Sequence, residues 1–165
     1  MRKLHLLPYF SVIIMLMSCS GPARNAPSGK FPPIAPKQAA KLSAYAKKHL
    51  GQPYSYGGMS ARGWDCSGFV YNMYQQVFNI SLPRSAAQMK VVTQAISSSK
   101  ARPGDLVFFS NGANRPTHVG IYLNKHKFIH VSKSIGVTIS SLREDYYRRH
   151  FIGFGRLNTI QLALR

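Results

Sequence analysis

Apolar residues between positions 36 and 77 recur every three or four residues, which is the spacing of one face of an α-helix. A first segment begins at Pro36 and meets a stop signal at Gly51, so we predict a helix over Pro36–Leu50. A second segment predicts another helix that begins at or near Cys66. The two apolar faces consist of Ala39, Leu42, Tyr45, Ala46 and Leu50, and of Phe69, Val70, Met73 and Val77.

The pattern changes in the second half of the chain. Leu82-Pro83-Arg84-Ser85 breaks the helical spacing, and Ser85 is a suitable N-cap for a helix that we expect to run to about Gln94. From Arg102 onward, short segments rich in β-branched and aromatic residues alternate with turn residues, which predicts strands. The expected strands are Asp105–Ser110, His118–Tyr122, Lys127–Ser132, Val137–Ser140 and Phe151–Leu157, with one or two helical turns within Leu142–Arg149.

Helices followed by an antiparallel meander predict an α+β domain, in which N-terminal helices pack on one face of a five- or six-stranded antiparallel sheet. We place this domain at residues 37–158 and a C-terminal tail at residues 159–165. Residues 19–36 are rich in Pro, Gly, Ser and Asn, so we expect them to form a flexible tether before the domain.

Residues 1–18 have the pattern of a secretory signal peptide. Arg2 and Lys3 form a short basic region, and Leu6–Met17 is mostly apolar but too short to span a bilayer. Leu16-Met17-Ser18-Cys19 then resembles a bacterial lipobox, which implies a lipoprotein whose Cys19 carries lipid, palmitate included, and anchors the chain in a membrane. Ser20 resembles an outer-membrane sorting signal, so we expect an exported protein at the periplasmic face of a Gram-negative outer membrane.

The chain is strongly basic, with a formal net charge of +18 from 22 Lys and Arg against 4 Asp and Glu. Such a charge predicts an anionic partner, namely nucleic acid, a membrane surface or an anionic wall polymer. Because the chain is expected to be exported, we expect no nucleic-acid partner.

Cys66 is the residue around which we expect a reactive site. A thiol at a helix N-terminus lies at the positive end of the helix dipole, which lowers its pKa and favours the thiolate. One alternative is a small buried core residue. Another is a disulfide between Cys19 and Cys66, which the oxidising compartment allows and which would block the thiol. Since lipidation uses Cys19, reactivity explains an unpaired Cys66 better than packing does.

Two histidines supply the base that a catalytic thiol needs. His118 opens one predicted strand and His130 lies in the next, and a connection of about five residues predicts a hairpin. Alternation then allows both rings to face Cys66. A nucleophile, a general base and a group that orients the base would be Cys66, His118 and His130. We prefer His130 to a carboxylate as the third member, because Asp65 is expected to point elsewhere if Cys66 points into the site, and Asp105 is expected to fix a turn.

A zinc site formed by the same cysteine and histidines is the alternative by ligand type, but it lacks close ligand spacing and a nearby Glu as base. Disulfide exchange is less favoured still, because the chain has no Cys-x-x-Cys motif. We expect neither a metal nor another cofactor.

These segments together resemble, in order and spacing, the NlpC family of bacterial cell-wall cysteine peptidases. The resemblance covers about residues 42–157 and implies a reduced papain-like fold that hydrolyses amide bonds in the stem peptides or cross-links of peptidoglycan. Its length and layout are similar to those of the small lipoprotein endopeptidases of the family. The matching blocks are Tyr54-Ser55-Tyr56-Gly57-Gly58, Asp65-Cys66-Ser67-Gly68-Phe69, Leu82-Pro83-Arg84-Ser85, Arg102-Pro103-Gly104-Asp105-Leu106, His118-Val119-Gly120-Ile121-Tyr122 and Phe128-Ile129-His130.

The resemblance also implies roles for individual residues. Cys66 would be the nucleophile, His118 the base and His130 the residue that orients it. Tyr54 would lie close to the nucleophile and help to bind the oxyanion. The expected substrate-binding residues are Tyr56, Asp65, Ser67 and Arg84, of which Arg84 matches a family position without a derived role.

Other functions remain open from the sequence. A related wall amidase would cut between sugar and peptide, and an acyltransferase would act on lipid. A tethered wall-binding domain without turnover would share the basic surface but would have no use for the thiol. We expect a monomer whose partners are peptidoglycan stem peptides and, through Cys19, the membrane. The sequence does not identify the bond cut or the effect of the loop Asn111–Pro116 on substrate entry.

Overall fold

The computed structural model describes residues 36–112 and 115–157, and the predicted signal peptide, lipidated Cys19, tether up to residue 35 and tail lie outside these ranges. Within them, no helix is long and apolar enough to cross a membrane. The helices are α1 (Pro36–His49), α2 (Cys66–Phe78), α3 (Ala86–Val91) and α4 (Asp145–His150). The strands are β1 (Met59–Ser60), β2 (Gly63–Trp64), β3 (Thr93–Ile96), β4 (Leu106–Phe109), β5 (His118–Asn124), β6 (Lys127–Ser132), β7 (Gly136–Ser141) and β8 (Phe151–Leu157).

The first helix confirms the prediction except at its C-terminal end. Leu42 and Ala46 are each 1% exposed, as expected for the apolar face. Leu50 is 44% exposed, so its predicted place on that face is wrong. The helix ends at His49, whose ring is buried instead and stacks on Tyr45.

The second helix begins at Cys66, as predicted, because Asp65 caps it. The Asp65 carboxylate accepts a hydrogen bond from the backbone N–H of Gly68 at 2.6 Å, which satisfies one free donor of the first turn. All four residues predicted for the apolar face are buried, namely Phe69, Val70, Met73 and Val77. The helix N-terminus is therefore fixed from both sides, by the cap and by the core.

The third helix is shorter than predicted. Ser85 is its N-cap, as expected, but the helix ends at Val91 rather than near Gln94. Thr93–Ile96 is a strand that pairs with Phe151–Leu157. Local spacing gave no sign of this strand, because its partner lies about sixty residues away in the chain.

The α+β prediction is confirmed, with one change in topology. The main sheet has six antiparallel strands in the order β3-β8-β4-β5-β6-β7. Strands β4 to β7 form the predicted meander, but β8 returns to lie between β3 and β4. The β5–β6 connection is tighter than predicted, because Lys125 and His126 form a two-residue turn with positive φ angles.

The two faces of the sheet have different neighbours. One face carries Val119 and Ile129 into the main core, which α1 and α2 cover. The opposite face carries an aromatic cluster that includes Phe109 and Phe128, against which Tyr147 of α4 packs. Since side chains alternate along a strand, the neighbours of Val119 and Ile129 point towards this aromatic face.

One ion pair fixes the start of β4. The buried Asp105 carboxylate receives two hydrogen bonds from Arg156, each 2.7 Å long, and a third from the backbone N–H of Arg102. The last contact confirms that Asp105 fixes a turn. The ion pair with β8 was not predicted.

Candidate active site

Cys66 lies half-buried in an open groove of about 760 Å³ at one end of the sheet. Cys66 is the first residue of helix α2, and His118, which also lines the groove, is the first residue of strand β5. The thiol makes a hydrogen bond with the backbone of Val119, which joins the helix to the strand. The lining residues of the groove are Tyr54, Tyr56, Gly57, Asp65, Cys66, Ser67, Arg84, Ser85, Ala86, Ala87, Arg115, Pro116, Thr117, His118, Val131 and Lys133.

The expected thiolate is not the resting form of Cys66. Burial raises the pKa of the Cys66 thiol, and the negative charge of Asp65 adds to this effect. Backbone hydrogen bonds, including the one with Val119, act in the opposite direction but do not offset burial. The prediction from the helix dipole alone is therefore wrong, because it omitted the cost of a charge in a half-closed site.

The two histidines lie together, as predicted. His118 Nε2 and His130 Nδ1 are 3.0 Å apart, and the two rings meet almost at right angles. Gly120 makes this approach possible, because a Cβ at that position would lie 3.0 Å from the Phe128 ring and 3.1 Å from Cβ of His130. Because Nε2 of His118 contacts His130, Nδ1 is the ring nitrogen of His118 that is available to the Cys66 thiol.

Both rings are neutral near pH 7. Burial, followed by the positive charge of Lys133, lowers the pKa of His118 to about 4. Burial, followed by the charge of His118, lowers the pKa of His130 to about 3. The resting site thus holds a thiol and a neutral imidazole.

The charge of Lys133 leads to a testable pH dependence. If His118 is the base that the sequence predicts, only its neutral ring can accept the thiol proton, so the predicted hydrolase activity should rise with pH through the His118 pKa. In Lys133→Gln, one positive charge beside the imidazolium is lost, the pKa of His118 rises, and the acid limb of the kcat/KM profile moves to higher pH.

The pH profile of hydrolysis for wild type, Lys133→Gln and Lys125→Gln checks this expectation. Lys125 is an exposed residue in the β5–β6 turn, outside the groove, and its variant should keep the wild-type limb. An acid limb that stays in place, or moves to lower pH, in Lys133→Gln would contradict the assigned electrostatic contact.

Asp65, Ser67 and Arg84 form one hydrogen-bonded network beside the nucleophile. Arg84 donates from Nη1 to Asp65 Oδ1 at 2.9 Å and from Nη2 to Asp65 Oδ2 at 2.7 Å. It also donates to Ser67 Oγ and to the carbonyl oxygens of Gly57 and Gly58. Burial raises the pKa of the Asp65 carboxyl, but the hydrogen bonds from Arg84, Gly68 and Ser67 outweigh it and lower the pKa overall. Arg84, for which sequence offered no role, therefore joins the tyrosine-bearing loop to the N-terminus of α2.

Both predicted tyrosines line the groove, but they differ in exposure. The Tyr54 side chain is partly buried against the core, and the Tyr54 backbone forms an isolated parallel β-bridge with Trp64. Tyr56 is 93% exposed at the rim. Within the described ranges, no three His, Cys, Asp or Glu side chains are grouped closely enough to hold a metal ion, so the zinc alternative lacks a ligand set there.

Sequence reasoning missed two residues that contact His130. Ser140 Oγ and Tyr147 Oη each lie 3.1 Å from His130 Nε2, on the side of the ring away from His118. Strand alternation could have placed Ser140 on the histidine face of β7, since it pairs with Phe128. No pattern in the sequence indicates the position of Tyr147.

In this α+β protein, a cysteine at a helix N-terminus lines the same groove as His118, whose ring contacts that of His130. Residues 51–156, more than half of the chain, match the NlpC/P60 family. The chain belongs to this family.

Relatives and a solved structure agree with the assignment. The chain is 45% identical over 113 residues to the probable endopeptidase NlpC of Escherichia coli, a match that covers 68% of this chain and 73% of that protein. It is 40% identical over 119 residues to the gamma-DL-glutamyl hydrolase of Bacillus subtilis, which covers 71% of this chain but 29% of that protein. A lipoprotein-like NLP/P60 family protein of Staphylococcus aureus has a TM-score of 0.69 and 36% identity over 76% of this chain and 43% of its own. The chain thus spans between about a third and three quarters of these proteins.

Proposed function

We propose that the chain is a peptidoglycan endopeptidase of the cysteine peptidase class, which hydrolyses amide bonds in stem peptides or their cross-links. The observation that carries this proposal is the groove that both Cys66 and His118 line, with His130 Nδ1 placed 3.0 Å from His118 Nε2. The similarity to the probable endopeptidase NlpC supports it.

The proposed reaction has two stages. His118 Nδ1 takes the thiol proton as Cys66 Sγ attacks the carbonyl carbon, and His118 then gives the proton to the leaving amine. The thioester that results is attacked by water, which His118 deprotonates, and the acid product leaves as the thiol is restored. His130 holds the ring of His118 in place throughout. The peptide bond is thus replaced by an amine and a carboxylate with the uptake of one water.

We assign the oxyanion to the backbone N–H of Cys66 and to Tyr54. The N–H of Cys66 is the first donor of α2, where the helix dipole favours negative charge, and Tyr54 lines the same groove. Asp65 and Ser67 would contact the amine side of the substrate, and Tyr56 and Arg84 would also bind substrate. Because Arg84 already engages both oxygens of Asp65, these two residues also act by holding the groove wall in shape.

The charge of the groove favours an acidic substrate. Asp65 is the one acidic residue among its lining residues, and Arg84 neutralises it. The exposed Arg115 and Lys133 make no ion pair with a described acid. Stem peptides carry free carboxylates, which such cations attract.

We also propose that the domain acts outside the cytoplasm, held at the periplasmic face of the outer membrane by lipid on Cys19. The signal-like and lipobox-like segments support this location. A tethered basic domain would remain close to the anionic wall.

Mass spectrometry of peptidoglycan fragments, incubated with the purified protein or with Cys66→Ala, tests the proposed function. We expect wild type to convert fragments into pairs that together gain one water at a single amide bond, and Cys66→Ala to leave them unchanged. Release of intact peptide from sugar would indicate the amidase instead. Unchanged fragments with both proteins, together with co-sedimentation with the wall, would indicate a binding domain and end the hydrolase proposal.

A further inference from the structure

The distal nitrogen of His130 has two partners that the proposed reaction does not use. His130 is 1% exposed, and its Nε2 lies 3.1 Å from Ser140 Oγ and 3.1 Å from Tyr147 Oη. The two hydroxyl oxygens can accept a hydrogen bond from a protonated Nε2, and without them a buried N–H at this position would lose both of these acceptors.

The required form follows from the position of the thiol proton. His118 must present an unprotonated Nδ1 to act as a base, so its single proton is on Nε2. That N–H donates to His130 Nδ1, which must therefore be the acceptor. His130 then carries its own proton on Nε2 and needs an acceptor at this nitrogen.

The opposite arrangement would disable the base. If His130 carried its proton on Nδ1, it would donate to Nε2 of His118, and the proton of His118 would move to Nδ1. The nitrogen left for the thiol would then be a donor. Because both rings are neutral, only the tautomers distinguish the active arrangement from the inactive one.

We propose that Ser140 and Tyr147 are positioning residues whose oxygens accept the Nε2 proton of His130 and so fix the tautomer of His118 that accepts the thiol proton. The series of contacts from Cys66 through His118 to His130 is thereby extended by two hydroxyl groups, one from β7 and one from α4. This inference rests on the proposed function for its effect on rate, but the tautomers themselves can be observed without substrate.

The surroundings hold both oxygens in place. Ser140 is paired with Phe128 across β6 and β7, and so lies on the same face of the sheet as His130. The ring of Tyr147 packs edge-on against Phe109 and Phe128. Burial raises the pKa of Tyr147, so the residue remains a neutral phenol, and Ser140 lies within hydrogen-bond reach of it.

Three variants test the proposal, namely Ser140→Ala, Tyr147→Phe and the double variant. Tyr146→Phe is a matched control on the same helix, since Tyr146 is 54% exposed. We expect a loss of kcat of about 100-fold in the double variant, which is the lower end of the contribution of a general base, a smaller loss in each single variant, and a KM within about twofold of wild type. Tyr146→Phe should behave as wild type.

Nitrogen-15 shifts of the histidine rings provide the readout that a loss of packing would not change. In wild type, Nδ1 of His118 should have the shift of an unprotonated nitrogen, and Nε2 of His130 that of a protonated one. In the double variant, both assignments should reverse in most of the population, because a loss of kcat of this size requires the active tautomer to become a minor species. If the double variant does not fold, the two single variants, which each keep one acceptor, test the proposal instead. The same nitrogen-15 shifts and kcat are measured for them.

Wild-type shifts that show a proton on Nδ1 of His118 would overturn the proposal, as would a double variant with wild-type kcat or unchanged tautomers. A loss that appeared in KM alone would also overturn it. If wild type hydrolysed no wall fragment, the proposed function would fail, whereas the shifts would still decide whether the two hydroxyls set the tautomers.

Discussion

Replacement of Cys66 by Ser is expected to reduce hydrolysis of peptidoglycan fragments by on the order of 10³-fold or more, because a nucleophile that acts with its base as a unit cannot be replaced by a weaker one. A serine hydroxyl is far less acidic than a thiol, and His118, whose pKa is lowered to about 4, is too weak a base to activate it. The melting temperature should stay within about 2 °C, since Ser is nearly isosteric with a half-buried Cys.

Rates of fragment cleavage and thermal unfolding of the same preparations measure both effects. Cys19→Ser is the matched control, because it removes the other cysteine of the chain and should leave cleavage of soluble fragments unchanged. Activity that survives in Cys66→Ser but is lost in Cys19→Ser would contradict the assignment of the nucleophile.

Replacement of Arg84 by Met is expected to lower kcat/KM by about 100-fold, because a displacement of about 1 Å in a groove wall can have an effect of this size. The variant would lose the hydrogen bonds to Asp65 and Ser67 and to the carbonyl oxygens of Gly57 and Gly58. The loop that carries Tyr54 would then no longer be joined to the N-terminus of α2. Stability should fall by only about 1 kcal/mol, because the Arg84 side chain is 37% exposed and solvent screens its ion pair.

Steady-state kinetics and denaturant unfolding of Arg84→Met, beside Arg62→Met, test this expectation. Arg62 is exposed and lies outside the groove, so its variant should match wild type in both measurements. Arg84→Lys should recover little activity, because a single ammonium group cannot reproduce the paired contacts of the guanidinium. Full activity in Arg84→Met would mean that the network does not shape the groove.

Local signals were sufficient to predict the elements that form the site. The start of α2 at Cys66 follows from a capping residue and an apolar face that agree with each other. The bounds of β6 and β8 match the prediction, since both strands have β-branched and aromatic runs between clear turn residues. The shared face of His118 and His130 follows from strand alternation.

The features that could not be predicted depend on distant parts of the chain. Strand β3 forms only because β8 returns beside it, so a local pattern assigned part of it to a helix. The raised pKa of Cys66 depends on burial, which no motif encodes. The position of Tyr147 depends on how α4 packs on the aromatic face of the sheet.

The resemblance to a known family and the geometry of the groove independently support a site at Cys66, His118 and His130. Motif order indicated which residues belong together, whereas the structure gives the distances from which we propose an arrangement of the protons. Because burial raises the pKa of the Cys66 thiol and lowers that of His118, we expect the reactivity of the thiol to depend on proton transfer to His118 rather than on the helix dipole alone.

The central claim is that Cys66 forms an acyl thioester with the wall peptide, and competition between water and hydroxylamine tests it most directly. A thioester reacts with hydroxylamine, so wild type should yield a peptide hydroxamate at the cleaved carbonyl, in a ratio to the acid product that rises with hydroxylamine concentration. Cys66→Ala should yield neither product. Cleavage by wild type without any hydroxamate, or hydroxamate formation by Cys66→Ala, would contradict the account.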